Sequence, residues 1–408
     1  MDRTFVIVGA SLAGGKAAET LRNEGFDGRV VLIGAEPERP YERPPLSKDL
    51  LLGKGSREQV FLHPAEWYAE HDIELLTSTR VAAIDRTARE VELASGERVG
   101  YDALLLSTGS QVRRLDAPGA DANGVLYLRT LADSERIGAA LREGARLVVV
   151  GAGWIGLEVA AAARTHGAEV VVVELAALPL RQVLGDELAR VFRDLHVQHG
   201  VDFRFGTSVA GIRSAGGRVE AVALTDGAEL PADTVVVGVG IRPATELAEA
   251  AGLEVDNGVL VDAAMRTSDP AVYAAGDVAN RLHPLLGTRI RVEHWANALD
   301  GGPAAARAML GLDAGFQNLP YFYTDQYDLG MEYAGHVEPG GYDRVVYRGT
   351  PGPDREFIAF WTSGGRVLAG MNVNVWDVSD AIQALVRSGK SIDPARLADP
   401  EIPLDELV

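Results

Sequence analysis

The chain has 408 residues, of which 47% are hydrophobic and 24% charged, proportions typical of a globular protein with roughly two to three domains. Its net charge of −19 argues against binding to nucleic acid or to an anionic membrane. Because it contains no cysteine, disulfides, thiolate metal sites and cysteine-ligated iron–sulfur clusters are excluded, and we expect no metal site. The N-terminus leads directly into a predicted strand, and no apolar run is long enough to span a bilayer. We therefore expect a cytoplasmic protein.

A dinucleotide-binding pattern opens the chain. The apolar segment Thr4–Val8 runs into Gly9-Ala-Ser11-Leu-Ala-Gly14, and Glu36 follows the next apolar strand. Glycines in such a turn let backbone N–H groups approach a pyrophosphate, the following helix adds its positive dipole, and the acid accepts a ribose hydroxyl. Serine in place of the middle glycine is small and can donate to a phosphate. An ordinary strand–turn–helix remains the alternative for this segment.

The same pattern occurs a second time. An apolar strand runs into Gly151-Ala-Gly153-Trp-Ile-Gly156, and Glu174 closes the strand that follows. An acid at this position accepts the adenosine ribose hydroxyls and repels a 2′-phosphate, and the next cation is Arg181, so NADH is favoured over NADPH. Two complete patterns in one chain predict two nucleotides held face to face, one a bound flavin and the other a visiting nicotinamide. Without a cysteine, the flavin's electrons must leave by a route that uses no dithiol.

The second pattern belongs to an internal duplication. Each copy continues with a helix, an acid-tipped strand, a hairpin turning at Ser95-Gly96 or Asp226-Gly227, an apolar strand and a loop. The two loops are Thr108-Gly109-Ser110 and the segment starting at Gly240. After residue 319, aromatic and alternating segments predict an antiparallel sheet followed by a helix. We predict an FAD-binding domain formed by residues 1–112 and 241–318, an NAD-binding domain at 113–240, and a C-terminal α+β domain at 319–408.

Glu158 stands alone as an acid in an otherwise apolar helical segment. A buried carboxylate is costly unless a cation pairs with it, although a glutamate that faces solvent would explain the pattern as well. Lys48 is the candidate partner, because two prolines fix the backbone just before it. A solvated lysine is the alternative. Ser47 is predicted to cap a helix that starts at Lys48.

A third stretch also suits a flavin. The apolar strand ending in Gly276-Asp277 places a carboxylate where it can bind a ribityl hydroxyl, and Trp295 follows at the start of an alanine-rich helix. Core packing explains Trp295 equally well. The strand itself is predicted to return to the first domain.

The order of these motifs resembles the FAD-dependent, NADH-linked ferredoxin reductases that serve Rieske dioxygenases and bacterial cytochromes P450. The resemblance covers essentially the whole chain, and its most specific element is Arg43-Pro-Pro-Leu-Ser-Lys48. It implies an α/β fold of glutathione-reductase-like architecture, with two interlocked Rossmann-like domains, one for FAD and one for NAD, and a C-terminal α+β domain.

The resemblance and the motifs together give the predicted sites. The FAD contacts are Gly9, Ser11, Ala13, Gly14, Glu36, Arg43, Lys48, Val81, Thr108, Gly109, Arg129, Gly276, Asp277 and Trp295. The NAD contacts are Gly151, Gly153, Ile155, Gly156, Glu158, Glu174 and Gly240. Lys48 and Glu158 are the predicted catalytic ion pair beside the flavin N5. The segment Leu178–Gln182 departs from relatives, which often carry an arginine there.

The resemblance implies that NADH gives a hydride to FAD, and that single electrons then leave to a separate [2Fe-2S] ferredoxin. That ferredoxin would serve a P450 or a Rieske oxygenase. Small ferredoxins are usually acidic, so we expect a local basic patch, with Arg43, Lys48, Lys54 and Arg57 or Arg289 and Arg291 as candidates. The alternatives are an NADH oxidase or quinone-type reductase, and an NADH-sensing flavoprotein with a signalling partner, like apoptosis-inducing factor.

Overall fold

The computed structural model describes residues 3–352 and 355–408. The chain divides into two compact units. Unit 1 comprises Met1–Arg43, Ser56–Gln111 and Ile241–Pro320, and unit 2 comprises Pro44–Gly55, Val112–Gly240 and Tyr321–Val408. The short segment that carries Lys48 therefore belongs with the second nucleotide-binding pattern and the C-terminal residues. The finer division into FAD, NAD and C-terminal domains stays a prediction.

Unit 1 is built on a five-stranded parallel sheet. In spatial order its strands are Val272–Ala274, Ala103–Leu106, Thr4–Val8, Arg29–Ile33 and Ile73–Leu76. These strands are buried nearly throughout, as expected where helices cover both faces of a parallel sheet. The strand before Gly276 does return to this sheet, as the sequence predicts.

The other elements of unit 1 surround that sheet. The helices are Leu12–Asn23, Ala65–Glu70, Glu246–Ala250 and Trp295–Met309. Two three-stranded sheets consist of Val81–Asp85, Glu90–Leu93 and Arg98–Gly100, and of Val259–Val261, Ala279–Leu282 and Arg289–Arg291. Short strands lie at Ser110–Val112 and Ile241–Pro243, and 3₁₀ turns at Arg57–Val60 and Gly276–Val278.

Unit 2 repeats the parallel arrangement. Its sheet has the order Asp202–Phe205, Glu169–Glu174, Arg146–Val150, Thr234–Val237 and Val125–Tyr127. The helices are Leu131–Ala140, Trp154–Thr165 and Arg181–Gln198, and an antiparallel sheet is formed by Val209–Ala215, Arg218–Leu224 and Glu229–Pro231. Every residue from 156 to 163 is buried, which confirms that the helix of Glu158 is enclosed.

The C-terminal residues of unit 2 form a five-stranded antiparallel sheet. Its order is Tyr321–Gln326, Leu329–Gly335, Arg366–Val373, Phe357–Ser363 and Arg344–Gly349. The helices Ser379–Ser388 and Pro394–Ala398 and a 3₁₀ turn at Leu404–Leu407 follow. The predicted α+β character of this part of the chain is confirmed. No helix within the described residues is long and apolar enough to cross a membrane.

Candidate functional site

The first glycine turn is geometrically restricted to glycine at two positions. Gly9 has a φ of +119°, and a Cβ there would lie 2.1 Å from the carbonyl oxygen of Ser107. At Gly14 a Cβ would lie 1.9 Å from the Gly9 oxygen. No side chain fits either position, so the turn brings the helix Leu12–Asn23 directly onto the end of the strand.

Ser11 occupies the N-cap of that helix but does not cap it. Its backbone is extended, and its hydroxyl makes no capping hydrogen bond. The N–H groups of the first helical turn have no intrahelical partner, and they suit an anion. Turn, hydroxyl and helix N-terminus together therefore fit a pyrophosphate.

Glu36 is held by two neighbours in unit 1. The Tyr41 hydroxyl donates to Glu36 Oε2 at 2.5 Å, and Arg43 Nη2 lies 2.9 Å from Oε1. Burial acts to lower the pKa of Arg43, but interactions with Tyr41 and Glu36 outweigh it and raise that pKa. The carboxylate is thus fixed beyond the end of its strand, and it keeps lone pairs for ribose hydroxyls. Sequence reasoning missed Tyr41, although it lies within the motif that contains Arg43.

Asp277 belongs to the same region. It follows Gly276, whose φ is +75° and whose Cβ would lie 3.2 Å from the Ala13 side chain. Asp277 also acts to raise the pKa of Arg43. Burial lowers the pKa of the neighbouring His294 to about 4, against the opposing effect of Asp277, so this imidazole is neutral near pH 7.

The remaining predicted FAD residues fall into two groups. In unit 1, Ser107 donates to the Gly9 oxygen at 2.9 Å, and Thr108 donates to the Ala244 oxygen at 2.8 Å. These bonds place the Ser-Thr-Gly109 loop against the first turn. Val81 and Trp295 begin elements of unit 1, whereas Lys48 and Arg129 belong to unit 2. Their contact with one flavin stays a prediction.

The second glycine turn repeats the geometry of the first. A Cβ at Gly151 would lie 2.5 Å from the Gly238 oxygen, and one at Gly156 would lie 2.1 Å from the Gly151 oxygen. Gly153, at the N-cap, faces open space, since nothing lies within 4 Å of a Cβ built there. Ile155 is 44% exposed on the first turn of the helix. A nucleotide phosphate can therefore approach the backbone of this turn closely.

Glu174 closes the strand next to this turn. Its carboxylate accepts the N–H of Ala152 at 2.7 Å and the N–H of Ala176 at 2.8 Å. The next cation along the chain, Arg181, pairs with Asp186 at 2.5 Å. Among the described residues, no cation pairs with Glu174. This fixed carboxylate therefore supports the predicted preference for NADH.

The predicted ion pair between Lys48 and Glu158 is confirmed. Lys48 Nζ lies 2.8 Å from Oε1 of Glu158, a residue that is only 4% exposed. The hydroxyls of Ser47 and Thr324 also donate to this carboxylate, the second at 2.6 Å. Three donors thus surround one buried charge, which is the condition for burying it at tolerable cost.

The predicted N-cap at Ser47 is wrong. A short 3₁₀ helix at Pro44–Leu46 precedes it, and turns rather than a helix follow at Lys48. The hydroxyl donates instead to the Glu158 carboxylate that pairs with Lys48, since a bond to such an acceptor is worth more than a cap on a marginal helix.

The predicted basic patch is largely neutralised by its own neighbours. Arg43 and Lys48 are paired as described, and Arg57 lies 2.7 Å from Glu38. Arg289 donates to two backbone oxygens, and Arg291 pairs with Glu293. Lys54 is exposed, and no described carboxylate pairs with it.

Comparisons with known proteins identify the family of this chain. Residues 3–302 match the family model for pyridine nucleotide-disulphide oxidoreductases, and residues 321–408 match the model for a reductase C-terminal domain. The ferredoxin–NAD(+) reductase component of the anthranilate 1,2-dioxygenase system of Burkholderia cepacia is 43% identical over 98% of both chains.

Two solved structures are similar over nearly their whole length. The putidaredoxin reductase of its covalent complex with putidaredoxin has a TM-score of 0.95 and 38% identity, covering 99% of this chain and 98% of that one. The ferredoxin reductase for the CYP199A2 system of Rhodopseudomonas palustris has a TM-score of 0.94 and 38% identity, covering 99% of both. The chain therefore belongs to the pyridine nucleotide-disulphide oxidoreductases, among the ferredoxin reductases of that family.

Proposed function

We propose that this protein is a flavoenzyme that takes a hydride from NADH and passes the electrons through FAD, one at a time, to a [2Fe-2S] ferredoxin. The ferredoxin in turn serves a cytochrome P450 or a Rieske-type oxygenase. The observation that carries the proposal is the pair of glycine turns with equivalent geometry, each followed by an acid whose carboxylate is held by neighbouring donors. The absence of cysteine and the named systems of the relatives support a protein acceptor rather than a disulfide.

Each nucleotide has residues that fit it. In unit 1 the Gly9–Gly14 turn receives the FAD pyrophosphate, Glu36 the adenosine ribose and Asp277 the ribityl chain. In unit 2 the Gly151–Gly156 turn and Glu174 hold NADH. Bound FAD supplies the hydride acceptor and can release electrons singly.

Lys48 supplies positive charge for the reaction. The resemblance predicts that its ammonium lies beside the flavin N5, where it stabilises the negative charge that accompanies reduction. Glu158 keeps that ammonium in one position. Because a hydride moves as one unit, these residues position charge and are not required to transfer a proton. We further propose that the enzyme works in the cytoplasm, where NADH is available.

The test is a comparison of acceptors under the same NADH supply. We expect the purified protein to be yellow, to be reduced rapidly by NADH in the absence of oxygen, and to reduce a [2Fe-2S] ferredoxin much faster than oxygen or a quinone. Equal turnover with oxygen or quinone would favour the oxidase alternative. Slow turnover with every acceptor, together with NADH-dependent dimerisation, would favour a signalling flavoprotein.

A further inference from the structure

A chain of buried hydrogen bonds leads from Glu158 to His196 inside unit 2. Thr324 Oγ1 lies 2.6 Å from Glu158 Oε1, Gln326 Nε2 lies 3.1 Å from Thr324 Oγ1, and His196 Nε2 lies 2.8 Å from Gln326 Oε1. His196 is 0% exposed, and Thr324 and Gln326 are each 1% exposed. These polar side chains are therefore shielded from water and depend on one another.

The charge at one end fixes the direction of every bond. The Glu158 carboxylate, paired with Lys48, can only accept, so the Thr324 hydroxyl must donate to it. The Thr324 oxygen then accepts from the amide nitrogen of Gln326, which leaves the Gln326 oxygen facing His196. An amide oxygen can only accept, so Nε2 of His196 must carry a proton. All three donors consequently point toward the carboxylate.

His196 is suited to the far end of this chain. Burial lowers its pKa to about 4, so the ring is neutral near pH 7 and carries its one proton on Nε2. Its Nδ1 is buried without a hydrogen-bond partner among the described residues. Phe203 and Tyr327 pack edge-on against the ring. A second proton on Nδ1 would find no acceptor, so the direction of the chain is maintained.

The fold itself does not require this network. Thr324 and Gln326 are two positions apart on the strand Tyr321–Gln326, so their side chains lie on the same, buried face. Apolar side chains at these positions would pack there without the cost of burying polar groups. Hydrogen bonds that polarise one another along a chain strengthen its last member. Here the last member is the bond to Glu158, the residue that positions Lys48.

We propose that Thr324, Gln326 and His196 are positioning residues that hold the Glu158 carboxylate in one orientation toward Lys48. The importance of the pair for flavin reduction rests on the proposed function. The direction of the hydrogen bonds does not rest on it.

The kinetic test compares Thr324→Val with Thr324→Ser. Valine keeps the shape of the side chain but removes the hydroxyl, and we expect flavin reduction at saturating NADH to slow roughly tenfold or more, as for loss of a bond to a charged group. Serine restores the donor and should restore the rate to within about twofold of the wild type.

The matched control is Thr362→Val. Thr362 is also buried, at 4% exposure, in the same antiparallel sheet, but its hydroxyl donates to the backbone oxygen of Arg344. A general loss of sheet stability would affect Thr362→Val and Thr324→Val alike. Equal slowing in both valine variants, or no recovery with serine, would overturn the positioning role.

A second readout is independent of turnover. In the ¹⁵N spectrum of the flavin-loaded protein, the His196 ring, assigned by its loss in His196→Gln, should show a protonated Nε2 and a bare Nδ1 at pH 7. Thr324→Val should leave that tautomer in place, because Gln326 still accepts from the ring. A wild-type ring protonated on Nδ1 would overturn the inferred direction of the chain.

The two tests separate the inference from the proposed function. If NADH reduces the flavin but no ferredoxin accepts electrons, the proposed function fails. The rate of flavin reduction and the tautomer of His196 still test the network in that case. If Thr324→Val reduces both its flavin and ferredoxin at the wild-type rates, the proposed function stands and the inference fails.

Discussion

At the scale of single residues, the carboxylates of the predicted sites are each held by more than one donor. Glu158 has three donors, Glu36 has two, and Glu174 has two backbone N–H groups. Each of these carboxylates is thereby held at one position relative to its own turn or helix. Fixed charges cost little reorganisation when a cofactor or substrate binds.

The first prediction concerns the ion pair. We expect Lys48→Met and Glu158→Gln each to slow flavin reduction by NADH, because either change removes the fixed cation or its orientation. The double variant should lose less than the sum of the two effects in free energy, since groups that act as a unit are not additive. Rapid-mixing absorbance at the flavin band measures all three rates. Strictly additive losses would show that the two side chains act independently.

The second prediction concerns the choice of nicotinamide. We expect a kcat/KM for NADH at least roughly tenfold above that for NADPH, because a fixed carboxylate repels a 2′-phosphate. Glu174→Gln should reduce this ratio. Glu169→Gln, at the exposed start of the same strand, removes the same charge and should leave the ratio unchanged. An unaltered ratio in Glu174→Gln would show that discrimination lies elsewhere.

Several site residues follow from sequence because their causes are local. The glycines of both turns are required by their own backbone geometry, and the pairing of Glu158 follows from the cost of a lone buried charge. The error at Ser47 has the opposite origin. Its local pattern suits an N-cap, but its hydroxyl bonds to a carboxylate 111 positions away, which no local pattern reveals. Thr324 was missed as a site residue for the same reason.

At the scale of elements, the first and the last chain segments of unit 1 are joined by close helix packing. The helix Trp295–Met309 packs against the helix Leu12–Asn23, which begins at the first glycine turn. Gly302 permits this, because a Cβ there would lie 2.2 Å from the Ala13 oxygen. Backbone cannot move aside as a flexible side chain can. The contact therefore couples the fold of residues 241–320 to the first glycine turn, the predicted flavin site.

The third prediction tests that contact with two adjacent glycines of one helix. Gly302→Ala should lower the free energy of unfolding by about 1–3 kcal/mol and weaken FAD retention, because the two helices must separate. Gly301→Ala is the control, since its Cβ would meet Phe316 at an ordinary 3.5 Å, and alanine is the better helix former. Thermal unfolding and flavin fluorescence measure both variants. Equal stability of the two would contradict the close approach.

Element prediction succeeded where turn residues mark the boundaries. The hairpins at Ser95-Gly96 and Asp226-Gly227 have glycines with positive φ in the turn, and both occur as expected. The sequence did not predict the two separate strands of the first hairpin in the C-terminal sheet, Tyr321–Gln326 and Leu329–Gly335. Its turn begins at Tyr327, which has a φ of +57° without being glycine or asparagine. Tertiary packing imposes that conformation, so the usual sequence signal is missing.

At the scale of the whole molecule, the net charge of −19 opposes the encounter that the proposed function requires. An acidic ferredoxin is repelled by the total charge at long range. At physiological ionic strength, however, screening acts over about 8 Å, so charges near the docking surface dominate at close approach. The sign of the salt dependence distinguishes repulsion by the total charge from attraction by local charges. Added salt speeds an encounter that is limited by repulsion and slows one that is guided by local attraction.

Lys54 is the cation best placed to provide that attraction. It is exposed, it lies on the same segment as Lys48, and no described carboxylate neutralises it. Of the arginines considered with it, Arg43, Arg57 and Arg291 each pair with a carboxylate, and Arg289 donates to backbone oxygens. We expect Lys54→Glu to raise the KM for ferredoxin several-fold and to leave the KM for NADH unchanged, with turnover falling as salt rises in the wild type. Lys390→Glu, after the helix Ser379–Ser388, changes the net charge equally at another exposed site and should have a much smaller effect.

Equal effects of the two reversals would mean that the total charge controls the encounter. In that case turnover with ferredoxin should rise with salt, while NADH reduction of ferricyanide provides the baseline that docking does not affect.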